Sequence, residues 1–301
     1  MRNTFVDFIT DYAKIDESVC VLTGDLGYGV LDKFYKLHPK KFFNFGINEQ
    51  SMISAAAGMA HSGLKPFVYS IANFNTFRCL EQIRNDVHYM NLNVNLVTIG
   101  AGFSYGTAGY SHYLLEDISS MSTFSNIRIF SPADTIETGH ALRRIVELDQ
   151  PTYLRLGKGG EKDLPLQEEI DNSNKSGIET ATVLFTGSIG ENIYKALKLI
   201  NSESNIARPI SIWDLSHENL RNVLRGLSSK KIITIEEHNL RGGFGSMILE
   251  TLNYLGIEKK VLRIGIENLN HQGSGNQDYL REIYGLDPKS IAAAILRFVS
   301  S

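Results

Sequence analysis

The chain alternates between short apolar runs and segments with the apolar spacing of a helix. Near the N-terminus, Phe5, Phe8, Ile9 and Tyr12 recur at the spacing of one helix face, and the apolar run VCVL follows at 19–22. This order predicts an amphipathic helix and then a buried strand. The pattern continues with predicted strands in FFNFG, PFVYS, VNLVTIG, NIRIF and PTYLRL and predicted helices over 48–63, roughly 76–90 and up to about 148.

The segment from Gly157 to Gly177 interrupts this alternation with a polar, glycine-containing composition that is typical of a surface linker. The alternation then restarts, with strands predicted in ATVLFTG, ARPISIWDL, KKIITIEEH and KVLRIGI and helices over 190–200, over 217–227 and after Gly245. Buried strands separated by helices indicate parallel sheets. We therefore predict an α/β protein with two domains, at 1–160 and 178–301, joined by a linker at 161–177. Each domain is expected to be a mostly parallel doubly wound sheet flanked by helices.

Composition limits the classes of partner. The 301 residues are 43% hydrophobic and carry a formal charge of −3 without a long basic run, so neither nucleic acid nor an anionic membrane is an expected partner. Cys20 and Cys79 have no metal-ligand or CxxC spacing, so neither a disulfide framework nor a zinc site is suggested, and a reducing cytoplasm fits. No apolar stretch approaches the ~20 residues that span a bilayer. A cytoplasmic, soluble protein is predicted.

Three residues are candidates for chemistry when they are considered without any family. Glu49 opens a predicted helix directly after a strand, at the sheet edge where α/β proteins usually bind ligands. The alternative is an acidic residue in a first helical turn, where the helix dipole favours it. His112 lies in a glycine-rich loop and either shuttles protons or bonds the backbone. Phe74 either stacks on a planar ligand or belongs to the core.

Two further motifs predict little. The glycines of RGGFGS at 241–246 precede a helix and could hold an anion, but they match neither GxGxxG nor a Walker motif. The EEH sequence at 236–238 suggests a metal, yet adjacent residues of a strand point to opposite faces. No metal site is predicted there.

Taken in order, the segments resemble the C-terminal half of the transketolase family, which includes deoxyxylulose-phosphate synthases and the β subunits of 2-oxo-acid dehydrogenases. The resemblance spans nearly the whole chain. It is carried by LTGDLG, KFFNFGINEQSMISAAAGMAHSGLKPFV, FNTFRCLEQIRNDV, SHYLLEDISSM, NIRIFSPADTIET, PTYLRLGK and ITIEEHNLRGGFGS. It implies a pyrimidine-binding domain for thiamine diphosphate followed by a transketolase C-terminal domain.

The resemblance assigns cofactor roles to three residues. By similarity, Glu49 hydrogen-bonds the pyrimidine ring nitrogen of thiamine diphosphate and so helps the cofactor lose the proton on C2 of its thiazolium ring. Phe74 matches the second aromatic of the family's FAxF-type block and would stack on the pyrimidine, whereas the first aromatic of that block is Ile71 here. Asp25 in LTGDLG matches an acid that lies near the cofactor between subunits.

Three residues receive substrate roles in the same way. His112 matches a histidine that assists proton transfer to and from substrate oxygen, so it is predicted as catalytic and substrate-binding. Arg78 matches a substrate-facing arginine. Lys158 stands where the family more often has a phosphate-binding arginine, and this exchange keeps the charge but loses the bidentate geometry.

The chain also departs from the family pattern. The loop reads GTAGYSHY, so Thr107 and Ala108 replace the family's Glu-Asp pair, and Tyr113 replaces the Gln after the histidine. The family aspartate recognises the hydroxyl beside the acceptor carbonyl. A phosphate-contacting histidine of true transketolases aligns with Gly100. These changes predict a different donor or acceptor, such as a modified or nucleotide-linked sugar.

The resemblance also implies a partner. The family binds Mg²⁺ and diphosphate through GDG followed about thirty residues later by Asn, which supply oxygen ligands suited to a hard cation. The related sequence at 24–27 lacks the second element. The diphosphate and Mg²⁺ contacts are therefore expected on a separate N-terminal subunit, in an α2β2 heterotetramer that also associates through this chain.

The predicted function is that of the C-terminal subunit of a split transketolase-like transferase, which moves a two-carbon ketol unit from a ketose-type donor to an aldehyde-type acceptor. One alternative is the β subunit of a 2-oxo-acid dehydrogenase or a decarboxylating synthase. Another is a non-catalytic assembly or regulatory subunit. The residues Glu49 and His112 speak for an enzyme, and Thr107 and Ala108 keep the non-catalytic alternative open.

Overall fold

A computed structural model describes residues 1–165, 180–200, 207–269 and 273–301. Within these residues the chain forms two parallel sheets, which confirms the predicted α/β class with two sheets flanked by helices. The first sheet has the strand order β2-β1-β3-β4-β6-β5. Its strands are β1 (Val19–Thr23), β2 (Phe42–Asn44), β3 (Lys65–Ile71), β4 (Asn95–Ile99), β5 (Arg128–Phe130) and β6 (Thr152–Leu156).

Helices cover both faces of the first sheet because neighbouring residues of its strands point to opposite sides. On one face, Val21 and Phe67 pack with Phe5 and Ile145; on the other, Leu22 packs with residues of the third helix. The elements around this sheet are α1 (Arg2–Tyr12), α2 (Asp32–Leu37), α3 (Glu49–His61), α4 (Ala72–Thr76), α5 (Leu80–Gln82), a π-helical turn Ile83–His88, α6 (Asp117–Ser122) and α7 (Thr135–Glu147).

The second sheet has four strands in the order β10-β9-β7-β8 among the described residues. They are β7 (Ala181–Thr186), β8 (Ala207–Ser211), β9 (Lys231–Asn239) and β10 (Lys260–Ile266). The helices are α8 (Gly190–Leu199), α9 (His217–Arg225), α10 (Phe244–Leu255), α11 (Gln277–Ile283) and α12 (Pro288–Val299). All strand pairs of both sheets are parallel.

The order of the first sheet creates a switch point. The chain moves from β1 outward to β2, and it then returns across β1 to β3 and continues in the other direction. The connections that follow β1 and β3 therefore diverge and leave a crevice at the carboxyl ends of these strands, where open α/β sheets bind ligands.

The two sheets share one hydrophobic core. Buried Leu96 and Ile129 of the first sheet belong to the same cluster as Leu184 and Ile232 of the second. At the junction, Ser131 N donates to Trp213 O at 2.8 Å. The burial of apolar surface between the sheets stabilises both together.

Some elements differ from expectation. The helix predicted over roughly 76–90 begins earlier, as α4 at Ala72, because Asn75 Nδ2 donates to Val68 O at 2.8 Å and turns the chain directly after β3. Helices α11 and α12 were not predicted. Of the predicted linker at 161–177, residues 166–177 lie outside the described part of the chain, so the domain limits stay predictions. In the described ranges, no helix is long and apolar enough to cross a membrane.

Candidate functional site

Glu49 is the first residue of α3 and lies at the carboxyl edge of the first sheet. The helix is capped by Asn48, whose side-chain oxygen accepts a hydrogen bond from Ser51 N at 3.4 Å. Glu49 itself is 1% exposed. A Cβ atom at Gly24, just after β1, would lie 3.3 Å from Glu49 Cγ, so the absence of a side chain there lets the strand end approach the carboxylate.

Arg78 joins Glu49 to Phe74. Its Nη1 atom donates to Glu49 Oε2 at 2.6 Å, and its Cζ atom lies 4.4 Å from the centroid of the Phe74 ring. The carboxylate is buried, whereas the Arg78 side chain is 42% exposed. The planar Arg78 guanidinium is thus held by the buried Glu49 carboxylate and by the half-buried face of Phe74.

His112 completes this group. Its ring lies 5.4 Å from the Phe74 ring, centroid to centroid, at an interplanar angle of 65°. The loop that carries His112 is tied to the turn after β3 by Asn73, whose Nδ2 atom donates to Ser111 O at 2.8 Å. One continuous cluster therefore lies at the switch point, and it consists of Glu49, Arg78, Phe74 and His112.

Asp25 adjoins the cluster through Gly24 but has its own partners. Asn44 Nδ2 donates to Asp25 Oδ1 at 3.2 Å, and Tyr28 Oη donates to the same oxygen. These two hydrogen bonds hold the pKa of the Asp25 carboxyl below its ordinary value. The residue has a left-handed φ of 52°, a conformation that aspartate tolerates better than most residues.

Among the described contacts, none joins Lys158 to the cluster of Glu49, Arg78, Phe74 and His112. It follows β6, and its Nζ atom lies 5.2 Å from the centroid of the Tyr105 ring. Tyr105 covers Gly100, where a Cβ atom would lie 2.1 Å from Tyr105 Cδ2. Gly100, which aligns with a phosphate-contacting histidine of the family, is thus covered by the Tyr105 ring, and the Lys158 ammonium lies near that ring.

The three altered loop positions have different environments. Thr107 and Ala108 are exposed in the short helical turn Gly106–Ala108, just before His112. Tyr113 is instead buried, with its ring edge against Phe103 at a centroid distance of 5.3 Å. The tyrosine that replaces the family's Gln therefore packs in the core, whereas Thr107 and Ala108 remain available to a ligand.

A second group of charged residues is buried between the two sheets. Arg155 Nε donates to Asp117 Oδ2 at 2.7 Å, and both residues are buried. Of the EEH sequence, His238 accepts a hydrogen bond from Ile118 N at 3.1 Å on Nε2 and donates from Nδ1 to Asn239 O at 2.7 Å. This fixes the neutral tautomer, and burial lowers the pKa of His238 to about 4.

The other two residues of EEH serve different partners. Glu236 accepts hydrogen bonds from Phe244 N at 2.6 Å and Gly245 N at 2.8 Å, so the glycines of RGGFGS surround a carboxylate of the protein itself. Burial nevertheless raises the pKa of Glu236 to about 8. Within the described ranges, no group of three or more His, Cys, Asp or Glu side chains is arranged to hold a metal ion.

Sequence reasoning missed the residues that support the cluster. Asn44, Asn73 and Glu237 each hold a loop of the site through one or more hydrogen bonds. The two asparagines gave a weak signal, since each lies at or just after the end of a strand at the carboxyl edge. Glu237 stood out only as part of EEH, and its contact with Phe103 could not be foreseen because the two residues are 134 positions apart in the sequence.

Comparisons with known proteins agree with this geometry. The family model of the transketolase pyrimidine binding domain matches residues 1–160, and that of the transketolase C-terminal domain matches residues 176–291. An apulose-4-phosphate transketolase subunit of Phocaeicola vulgatus is 29% identical over 306 residues, which cover 99% of this chain and 97% of that protein. The putative transketolase C-terminal section of Methanocaldococcus jannaschii is 33% identical over 309 residues, with 98% and 95% coverage.

A solved structure extends the agreement to the backbone. A split gene transketolase, described as an inactive beta4 tetramer, superimposes with a TM-score of 0.82 at 27% identity and covers 99% of this chain and 97% of its own. These relatives favour the transketolase prediction over the dehydrogenase and non-catalytic alternatives. The chain therefore belongs to the transketolase family, in which it corresponds to the C-terminal subunit of enzymes divided between two chains.

Proposed function

We propose that this chain provides the pyrimidine-binding half of a thiamine-diphosphate enzyme that transfers a two-carbon ketol unit from a ketose-type donor to an aldehyde-type acceptor. The observation that carries the proposal is the buried Glu49 carboxylate beside the half-buried Phe74 ring at the switch point of the first sheet.

These two residues fit the aminopyrimidine of the cofactor. They already hold the planar Arg78 guanidinium, which donates a hydrogen bond to Glu49 and lies on the Phe74 ring. A flat ring with a nitrogen directed at the carboxyl can use the same pair of contacts. When bound, thiamine diphosphate supplies a nucleophilic carbon at C2 of its thiazolium ring.

The residues of this chain then have distinct tasks. Glu49 shares a proton with the pyrimidine nitrogen from a position that excludes water, since the residue is 1% exposed. Phe74 holds the orientation of the ring. His112, whose ring contacts Phe74, receives or donates a proton at the substrate oxygen. Arg78 and Lys158 bind anionic groups of the substrate, and Asp25 lies at the boundary with another subunit.

The diphosphate and its Mg²⁺ ion are proposed to bind to a partner chain. Among the described residues, no three or more His, Cys, Asp or Glu side chains are grouped as metal ligands. Two relatives, one named as a transketolase subunit and one as a C-terminal section, match this chain over nearly their whole lengths. We propose an α2β2 heterotetramer, active only when both chains are present. The beta4 tetramer in the name of the similar structure supports self-association through chains of this type.

The acceptor is proposed to be a modified sugar or a nucleotide-linked one. Ala108 is exposed beside the His112 turn, and it has no group that can read a substrate hydroxyl. The relative from Phocaeicola vulgatus is named for apulose 4-phosphate, which supports a sugar-type substrate.

Calorimetry tests the division of the cofactor site. The isolated chain is expected to bind thiamine diphosphate weakly and to show no turnover, because the Mg²⁺ and diphosphate contacts lie on the partner. Tight binding and turnover are expected only after the N-terminal subunit is added. If the chain alone binds the cofactor tightly, the division into two subunits is wrong.

A further inference from the structure

The loop that carries His112 is held by the second domain. Residues 100–114 follow β4 in the first sheet, but Phe103 N donates to Glu237 Oε1 at 2.5 Å, and Glu237 belongs to β9. The loop closes on itself through two hydrogen bonds of 3.1 Å between the backbones of Gly102 and Leu114. Its base is therefore fixed at the carboxylate of Glu237.

The Glu237 carboxylate is fully engaged. Besides Phe103, Oε1 accepts from Gln277 Nε2 at 2.8 Å, and Oε2 accepts from Arg281 Nε at 2.5 Å. Glu237 is 3% exposed and Arg281 6%. These are charge-assisted hydrogen bonds in a water-poor interface, where they are stronger than neutral ones.

The loop is shaped to receive this carboxylate. Gly102 has a left-handed φ of 59°, and a Cβ atom there would lie 2.3 Å from Glu237 Oε1. Further along, Gly275 N donates to Gly106 O at 3.1 Å, and the Phe103 and Tyr284 rings stack at 5.3 Å. The turn that leads to His112 thus rests on the residues around α11.

We propose that Glu237 is a positioning residue for His112: by anchoring Phe103 it sets the loop so that the imidazole lies against Phe74 and faces the substrate. This inference rests on the proposed function, because it assigns His112 a proton transfer at the substrate. Glu237 acts through the loop and does not touch the substrate. The cofactor contacts of Glu49 and Phe74 come from α3 and α4 and do not depend on it.

The test compares two isosteric amide substitutions at the boundary between the sheets. Glu237→Gln leaves a single accepting oxygen for Phe103, Gln277 and Arg281, which together require two. The matched control is Asp214→Asn, since Asp214 is also buried and also bonds the first domain, in its case through Arg128, but lies away from the His112 loop. The milder variant Gln277→Ala removes one donor to Glu237 and serves if Glu237→Gln does not fold.

Three measurements separate positioning from stability. In the holoenzyme reconstituted with the N-terminal subunit, Glu237→Gln should lower kcat by about tenfold to a hundredfold, the range for small displacements of a catalytic group, while exchange of the C2 proton of thiamine diphosphate stays within about twofold. Hydrogen exchange of backbone amides at 102–114 should quicken in the same variant. Asp214→Asn should leave kcat and these amides unchanged, and Gln277→Ala should shift both as Glu237→Gln does, but less.

Three outcomes would each overturn the inference. Glu237→Gln could lose kcat and C2 exchange equally, or it could leave amide exchange at 102–114 unchanged. Asp214→Asn could lose as much kcat as Glu237→Gln does. A wild-type complex without C2 exchange would instead overturn the proposed function. The amide exchange of the two variants is measured on the chain and tests the anchoring of the loop in either case.

Discussion

Arg78 donates a hydrogen bond from Nη1 to Glu49 Oε2 at 2.6 Å. The carboxylate proposed to hold the pyrimidine nitrogen is therefore already paired with a cation of the same chain. Since Arg78 is also the residue that lies on Phe74, a bound pyrimidine must replace it at both contacts. We expect the arginine to be released when the cofactor binds, which would free it for the substrate role proposed above.

The first prediction follows from this exchange. Arg78→Met keeps an apolar stem but removes the guanidinium, so the reconstituted complex should bind thiamine diphosphate more tightly than the wild type. The Glu49 carboxylate is 2% exposed and loses its donor, so the variant should also be less stable to unfolding by roughly 1 to 3 kcal/mol. Calorimetry and urea denaturation measure the two effects.

Arg144→Met is the matched control for this experiment. Arg144 pairs with Glu147 on the exposed side of α7, so its loss should change neither cofactor binding nor stability measurably. Weaker cofactor binding in Arg78→Met would show that Arg78 supports the cofactor and does not compete with it.

The second prediction concerns Glu49→Gln. The amide oxygen can still accept from Arg78, so folding and assembly should persist, but an amide cannot share a proton with the pyrimidine nitrogen. Exchange of the C2 proton, followed by NMR, should slow by about a hundredfold or more, within the usual range for general acid or base catalysis. An unchanged exchange rate would show that Glu49 only begins helix α3 and does not share a proton with the cofactor.

The third prediction concerns the acceptor. With Ala108 in place of a hydroxyl-reading aspartate, turnover should not depend on a hydroxyl next to the acceptor carbonyl. A site that bonds such a hydroxyl rejects the deoxy analogue by ~10⁴ to 10⁵, whereas an apolar site discriminates weakly. Paired hydroxy and deoxy acceptors, turned over by the reconstituted complex, distinguish the two cases.

Ala108→Asp provides the complementary variant. It restores the acid of the family loop at an exposed position, so it should raise the preference for the hydroxy acceptor without loss of stability. Strong rejection of the deoxy acceptor by the wild type would mean that another residue has taken over the role of the aspartate.

The fourth prediction concerns acid stability. The pKa of His238 is about 4 in the folded chain, below the 6.5 of an unfolded histidine, because burial disfavours the charged imidazolium and Arg155 lies nearby. Between pH 6.5 and 4 the unfolded chain binds the extra proton. Stability from this group is therefore complete above about pH 6.5 and falls by up to roughly 1.4 kcal/mol for each unit below it.

Thermal denaturation across this pH range measures the effect. His238→Gln keeps a polar, uncharged side chain at the site, so its loss of stability between pH 6.5 and 4 should be shallower than that of the wild type. His217→Gln is the control, because His217 starts α9 and is not buried. Parallel curves for wild type and His238→Gln would assign the acid sensitivity to other groups.

Much of the fold was predictable because its strands are buried on both faces. VCVL is apolar throughout and ATVLFT is interrupted only by threonines, and both are bounded by turns, which indicates buried parallel strands without any tertiary information. Helices α11 and α12 were missed, since the sequence after β10 shows no strand to alternate with them. The early start at Ala72 depends on a hydrogen bond from Asn75 to Val68 that spacing alone does not reveal.

The candidate site was predictable only through family resemblance. Glu49 and His112 are 63 positions apart along the chain, and nothing in local periodicity places them on either side of Phe74. The resemblance named both residues, and their roles stay predictions. It did not indicate that Arg78 would pair with Glu49, because that contact depends on how α3 and the turn after β3 approach each other.

The core shared by the two sheets has a consequence for how substrates enter. If the two sheets moved apart, Asp117 and Arg155 would be exposed to water. In the structure these residues pair with each other, and Arg155 also bonds Glu237 O of the second sheet. Such an opening is opposed by the cost of exposing apolar surface to water and of parting the Arg128–Asp214 ion pair, which joins the two sheets. We therefore expect the two sheets to stay together when substrate binds, so that access to the cluster around Glu49 depends on movement of its loops.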